Sequence, residues 1–304
     1  MKSDDTPRYI DLTNDYAFKL AFANPDYPDL TLGLVRALLP ERNVESVELL
    51  VPETIPEDED DKRMCFDIRC TDKAGDHFVV EMQKEKYSYF PDRLMAYSGD
   101  PLKRLLKAGQ RYDTIRPLFI ISVLDYFLDK DDESLLRSAH VKMDDSGKIL
   151  SDKLNYVFLQ LPAVKELRGG QPFLEQLAYS IRHIGRLKFR PGELEDPFFD
   201  RLFRASTREY INKEQLKTYD YMIRDAIQIE AEREYAISEA LKRGLEAGME
   251  RGIAKGREEG REEGLAAGAR LKAVETARNF KVAGVDVSVI AQCTGLTVEE
   301  LDKL

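Results

Sequence analysis

Residues 64–83 read MCFDIRCTDKAGDHFVVEMQ, two short alternating runs joined by a polar turn. In the first run Phe66, Ile68 and Cys70 project to one side, and Asp67 and Arg69 to the other. In the second, Phe78, Val80 and Met82 alternate with Val79, Glu81 and Gln83. Side chains alternate with period two along a strand, so the pattern predicts a β-hairpin. The linker Asp72-Lys73-Ala74-Gly75-Asp76 is rich in turn formers, and Gly75 can supply a positive φ. A hairpin centred on Ala74 sets Asp67 opposite Glu81, with Cβ atoms about 5 Å apart. Two carboxylates so close on an apolar hairpin call for a cation between them, and Mg²⁺ suits such a pair because it takes one or two carboxylates plus water and phosphate oxygens. The competing reading is a pair of acids on a solvated sheet face.

Other segments bear on that choice. Asp67, a loop, then Glu81-Met82-Gln83 resembles the core of the PD-(D/E)xK nuclease superfamily, in the variant with Gln in place of the final Lys. Asn14-Asp15-Tyr16-Ala17-Phe18-Lys19 and the segment holding Arg93 and Tyr97 are similar to motifs of its recombination-promoting nuclease and transposase family. The likeness runs over about the first 200 residues and into the glycine-punctuated tail. It implies a mixed α/β nuclease core, with Asp67, Glu81 and the Met82 carbonyl holding Mg²⁺ (or Mn²⁺). Gln83 would then position the attacking water. The superfamily's lysine is missing from position 83, so either Lys84, Lys86 or Arg93 would supply positive charge or the chemistry would lean more heavily on the metal. Asp15, Lys19, Arg93 and Tyr97 become candidate DNA-contacting residues, with Asp15 also a candidate outer acid near the metal.

Composition narrows the class. The chain has 304 residues, 43% of them apolar and 34% charged, with three cysteines and a net charge of −10. Cys65, Cys70 and Cys293 are too few for a disulfide framework, and no paired Cys or His accompanies them for a zinc site. His77, His140 and His183 are scattered and read as structural or surface residues. The N-terminus MKSDDTPRYIDL lacks an apolar leader, and no run approaches eighteen apolar residues, which points to the cytoplasm and away from a membrane. An acidic balance is unusual for a generic nucleic-acid binder, but a local cleft can act against it, and residues 57–61 alone (EDEDD) carry five negative charges.

In chain order, Thr13 or Asn14 caps a helix to about Phe22, with Asp15 and Lys19 as an i,i+4 pair. Leu30 to Leu39 is a second helix, stopped by Pro40. Val47–Val51 is a strand, the hairpin follows, and Asp92–Leu106 is a helix carrying Arg93 and Tyr97 on one face. Leu118–Leu124 is an apolar run expected to be a central strand buried on both faces, and Tyr156–Leu161 is another strand. Polar loops are expected at 129–133 and 144–147. Residues 171–209 read as helices broken at Pro191-Gly192 and Pro197. Their basic group Arg182, His183, Arg186, Lys188 and Arg190 reads either as a charged surface or as a phosphate track.

From Asn212 the chain reads as helix for some sixty residues. Inside it, glycines recur at 244, 248, 252, 256, 260, 264 and 268. Each costs a helix about 1 kcal/mol relative to alanine, yet small residues every four positions also let helices approach closely. Self-association and a frayed linker are both consistent with that pattern. The end of the chain resembles a minimal helix-turn-helix, its last helix capped by Thr297 with Glu300 completing a capping box. Glu299, Glu300 and Asp302 would oppose phosphates, so packing competes there with DNA reading.

The expected organisation is a nuclease-like domain over 1–210, a glycine-repeat helical extension over 211–275 and a small tail over 276–304. The expected activity is a Mg²⁺-dependent endodeoxyribonuclease acting on DNA, linked to recombination or mobile elements, with the C-terminal helix as a route to a homo-oligomer. The rivals are a nuclease fold with weakened or lost chemistry that serves as a binding module, and an RNA phosphodiesterase sharing the same site.

Overall fold

A computed structural model describes residues 6–50, 68–105 and 109–304. Helix α1 (Asp15–Phe22) is capped by the Asn14 side chain, which accepts from the Ala17 N–H, and α2 is Pro28–Leu38. Strand β1 (Val47–Leu49) precedes β2 (Ile68–Asp72) and β3 (His77–Gln83), and α3 (Phe90–Arg104) follows. Then come β4 (Leu118–Leu124), β5 (Leu136–His140), β6 (Leu154–Gln160), α4 (Phe173–His183) and α5 (Pro197–Ala205).

The six strands form one mixed sheet in the order β1-β2-β3-β4-β6-β5, with β3-β4 and β4-β6 parallel and the remaining pairs antiparallel. The hairpin register pairs Ile68 with Val80 and Cys70 with Phe78, as expected for a turn centred on Ala74. Its turn closes through the Gly75 N–H donating to Asp72 O at 3.0 Å, with Gly75 at φ 85°. Asp67 lies outside the described residues, as do Cys65, Phe66 and the acidic run 57–61. Cys70 is a buried free thiol whose pKa is pushed up to about 12 by burial and then by Asp72, so it is unreactive.

Parallel central strands are covered on both faces, which explains why all seven residues of β4 are buried. One face presents Val79, Ile120, Leu124, Tyr156 and Phe158 to Phe90, Leu94, Tyr97, Leu102 and Leu105 of α3 and its last turn. On the other, Phe78 stacks on Phe119 with ring centroids 5.4 Å apart, and Arg42, just after α2, covers Phe119 at 4.8 Å. Helix α1 packs on β3, and α2 packs against α1, α4 and α5. Gly33 permits the α2–α5 approach, since a Cβ there would run into the Phe198 ring.

The third helix, the fifth strand and the Asp15–Lys19 pair depart from the sequence pattern. The third helix starts at Phe90 rather than Asp92, because Pro91 suits the first helical turn; Leu106 is outside the described residues. Strand β5 was not expected: Leu136-Arg-Ser-Ala-His140 is a mostly exposed edge strand with little apolar content to betray it. Among the described residues no ion pair joins Asp15 to Lys19; Asp15 is exposed and its carboxylate accepts the neighbouring Tyr16 N–H at 2.8 Å.

The chain divides into two compact units, 1–222 and 223–304. Helix α6 (Lys213–Val282) is continuous for 70 residues. In the second unit its end packs with α7 (Val287–Thr294) and α8 (Val298–Asp302) around Ala277, Ile290, Leu296 and Leu301. The Thr297–Glu300 capping box is formed, and Glu299 and Asp302 are exposed. Among the described residues no helix is long and apolar enough to cross a membrane.

Candidate active site

Glu81 sits near the C-terminal end of β3, beside Ser122 of β4 in the parallel register. It shares its sheet face with Val79, Ile120 and Leu124, so the alternation that builds the α3-facing core also carries a carboxylate into it. Glu81 is only 3% exposed. Burial raises its pKa, opposed first by the Arg93 charge and then by a hydrogen bond from Ser122 Oγ at 3.4 Å. That bond is long, which leaves the carboxylate short of donors among the described residues. A hard divalent cation is a fitting partner for such an oxygen. Among the described residues no group of three or more His, Cys, Asp or Glu side chains is arranged to hold a metal, and Asp67, the second acid of the expected pair, is outside them.

Gln83 lies two residues on, on the same face and 8% exposed, and its main-chain carbonyl accepts the Asp125 N–H at 3.0 Å. Met82 turns its side chain to the opposite face, where it is buried. Lys84 does not turn toward Glu81: its Nζ pairs with Asp11 at 3.4 Å. Asp11 in turn accepts from the Thr13 N–H and hydroxyl at 3.0 and 2.8 Å. Lys86 is spent on structure, donating to Phe127 O and Leu128 O at 2.9 and 2.6 Å. Among the described residues the cation whose field reaches Glu81 is Arg93, the fourth residue of α3, with its guanidinium 4.7 Å from the Tyr97 ring centroid. The structure therefore brings Glu81, Gln83, Arg93 and Tyr97 to one face of the sheet. Asp15 stays on an exposed helix surface, and Lys19 lines a separate cleft with Tyr16, Arg204 and Tyr210.

Two groups here escaped the sequence reading. Ser122 is the one polar residue in the run LFIISVL, a signal that was available. Tyr126, just past β4, gave no signal; its ring meets Phe90 edge-on at 6.1 Å, and its hydroxyl is buried with no partner among the described residues. Burial raises the pKa of Tyr126, and Glu81 raises it further, so the phenol stays protonated and can only donate to an anion. Asp125 accepts from Arg182 Nε at 2.8 Å, and Arg190 pairs with Asp200 at 3.0 Å. Two cations of the 182–190 group are thus held by acids rather than lined up for a phosphate backbone.

No curated protein and no solved structure is significantly similar to the chain. A family model does match: residues 12–239 fit the PD-(D/E)XK nuclease family transposase, a span that takes in the whole sheet and every candidate residue above.

Proposed function

The chain belongs to the PD-(D/E)XK nuclease family of transposases, and from that premise we propose that it is a metal-dependent endonuclease that hydrolyses phosphodiester bonds in DNA. The observation that carries this reading is Glu81, a carboxylate buried among core side chains at a stability cost that the fold does not require. Asp67, Glu81 and the Met82 carbonyl would hold Mg²⁺ or Mn²⁺, which when bound lowers the pKa of a water and offsets charge on the phosphate. Ser122 fixes one oxygen of Glu81, and Gln83 orients the attacking water by hydrogen bonding. Arg93 takes over the electrostatic part that a lysine at position 83 would play, and Lys84, engaged by Asp11, contributes at the edge of the site. Tyr97 backs the Arg93 guanidinium. Lys19 and Asp15 belong to an outer DNA-contacting surface.

The domain limits proposed are the nuclease-like domain over 1–210, the glycine-repeat helix over 211–275 and the tail over 276–304. The helix serves self-association, with exposed Leu245, Met249, Ile253 and Leu265 beside its glycines. A role in recombination or mobile-element movement follows from the family alone.

The test is nicking of supercoiled plasmid with Mg²⁺ or Mn²⁺ by wild type, Asp67→Ala and Glu81→Ala. Nicking by wild type that both substitutions abolish supports the reading; nicking that survives both overturns it. The second reading, a binding module without chemistry, is favoured by Gln83 and by the engagement of Lys84 with Asp11. It predicts no Mg²⁺- or Mn²⁺-dependent rise in melting temperature that Glu81→Ala removes.

A further inference from the structure

Buried donors in folded proteins are almost always paired, because a buried donor left unpaired carries the full cost of its lost hydration. Two exceptions lie on the α3 face of the sheet. Arg93 Nε and Tyr126 Oη are both buried and have no hydrogen-bond partner among the described residues. They belong to one locality: Phe90 and Arg93 are one helical turn apart, and the Tyr126 ring packs edge-on to Phe90 at 6.1 Å. Glu81 is the acid of the same locality, and it and Arg93 both influence Tyr126.

Looseness does not explain the orphaned phenol, because its chain neighbours are tied down. Asp125 donates its N–H to Gln83 O at 3.0 Å and accepts from Arg182 at 2.8 Å. Lys86 holds Phe127 O and Leu128 O, and the buried Gln160 side chain accepts from the Leu128 N–H at 2.7 Å. Tyr156, another tyrosine of this face, has its hydroxyl on Ser98 Oγ at 3.0 Å. A pinned segment that carries one unsatisfied donor beside a second is preorganised for an acceptor brought from outside.

We propose that Arg93 Nε and Tyr126 Oη form a two-donor site for a non-bridging oxygen of a phosphodiester, next to Glu81. The nature of the anion rests on the nuclease reading, which brings a phosphate to Glu81; the existence of the site rests on the paired orphan donors. The guanidinium charge offsets the repulsion between Glu81 and the incoming phosphate, and Tyr126 adds a neutral donor that survives at any physiological pH. In this account Tyr126 binds substrate directly.

Affinity and cutting are measured separately on the full chain. A fluorescein-labelled DNA duplex is titrated in Ca²⁺ with wild type, Tyr126→Phe, Arg93→Lys and Tyr156→Phe, and plasmid nicking and melting temperature are recorded for each. Tyr126→Phe is expected to bind at least tenfold more weakly and to cut about a hundredfold more slowly, without loss of melting temperature. Arg93→Lys keeps the charge, removes Nε and is expected to show the same pattern, which covers the case in which Tyr126→Phe does not fold. Tyr156→Phe, which removes a satisfied hydroxyl, is expected to bind like wild type. Wild-type affinity and cutting in Tyr126→Phe overturn the proposal. If wild type binds but never cuts, the nuclease reading fails and the affinities alone decide the donor site; if wild type does not bind at all, both fail.

Discussion

Strand β4 and helix α6 answer to different constraints. Every residue of β4 is buried, each fixed by a neighbour in β3 or β6 and by packing above and below the sheet. Along α6 a Cβ added at any of the seven repeat glycines would meet nothing within 4 Å, and Leu245 and Leu271 are 73% and 72% exposed. In the sheet a polar residue is an expense that asks for a reason, which is why Glu81 and Ser122 stand out. In α6 polar residues are the default and apolar ones ask for it. The search for chemistry belongs to the first region and the search for partners to the second.

The largest expected contrast is in stability. Ile121→Ala, at a fully buried position of β4, should cost about 2–5 kcal/mol in denaturant unfolding. Leu245→Ala on α6 should stay within about 0.5 kcal/mol at dilutions where the chain is monomeric. A cost that grows with protein concentration would mean that a second copy covers α6, as proposed for self-association, whereas a large cost at every concentration would break the contrast.

Glycines sharpen the same comparison. Gly33→Ala drives a methyl group into the Phe198 ring and is expected to destabilise by about 1–3 kcal/mol. Gly256→Ala has open space and should stabilise α6 by up to about 1 kcal/mol, read as increased helicity on heating. That gain is expected of the monomer; loss of stability or a change in molecular mass with Gly256→Ala would show that the glycine row lies against another helix, as proposed for self-association.

The smallest expected effect is in pH response. Hydrogen bonds from Ser288 hold Asp286 below its usual range, and hydrogen bonds from Thr297, assisted by Arg270, do the same for Glu300. A carboxyl lowered in the folded state adds stability above its unfolded pKa, and that stability is lost as pH falls through the folded value. The α7–α8 tail should therefore loosen below about pH 4, seen as faster amide exchange in those helices. Burial, and then the Asp72 charge, raises Asp76 of the hairpin turn, with Arg116, Arg42 and Lys153 opposing. A raised carboxyl favours the fold as pH falls through that range, so Asp76 and Glu81 by themselves should resist the acid that loosens the tail. Parallel loss of both regions would contradict this assignment.

Much of the fold was legible because alternation and unbroken apolar runs are strong signals. The hairpin register, β4 from Leu118 to Leu124, the Asn14 cap and the Thr297–Glu300 capping box all follow from local rules. Strand β5 was not legible, since an edge strand need bury little and LRSAH buries little. The site was half legible. Glu81 and Gln83 announce themselves by breaking an apolar run, and Arg93 shares a helix face with Tyr97. What local sequence could not give was which cation faces Glu81, because that depends on α3 packing over β3 and on Asp11 engaging Lys84 from 73 residues away. Tyr126 was silent for the same reason: its importance lies in a missing partner, which only the packed structure reveals.

On the nuclease reading, the buried carboxyl group of Glu81 is kept for chemistry at the expense of stability. The most direct test is Glu81→Gln, which preserves volume and removes the charge, with plasmid nicking in Mg²⁺ and melting temperature at pH 7 measured on the same preparation. The account predicts loss of nicking together with a melting temperature no lower than that of wild type. Retained nicking, or loss of nicking accompanied by a clear fall in melting temperature, would contradict it.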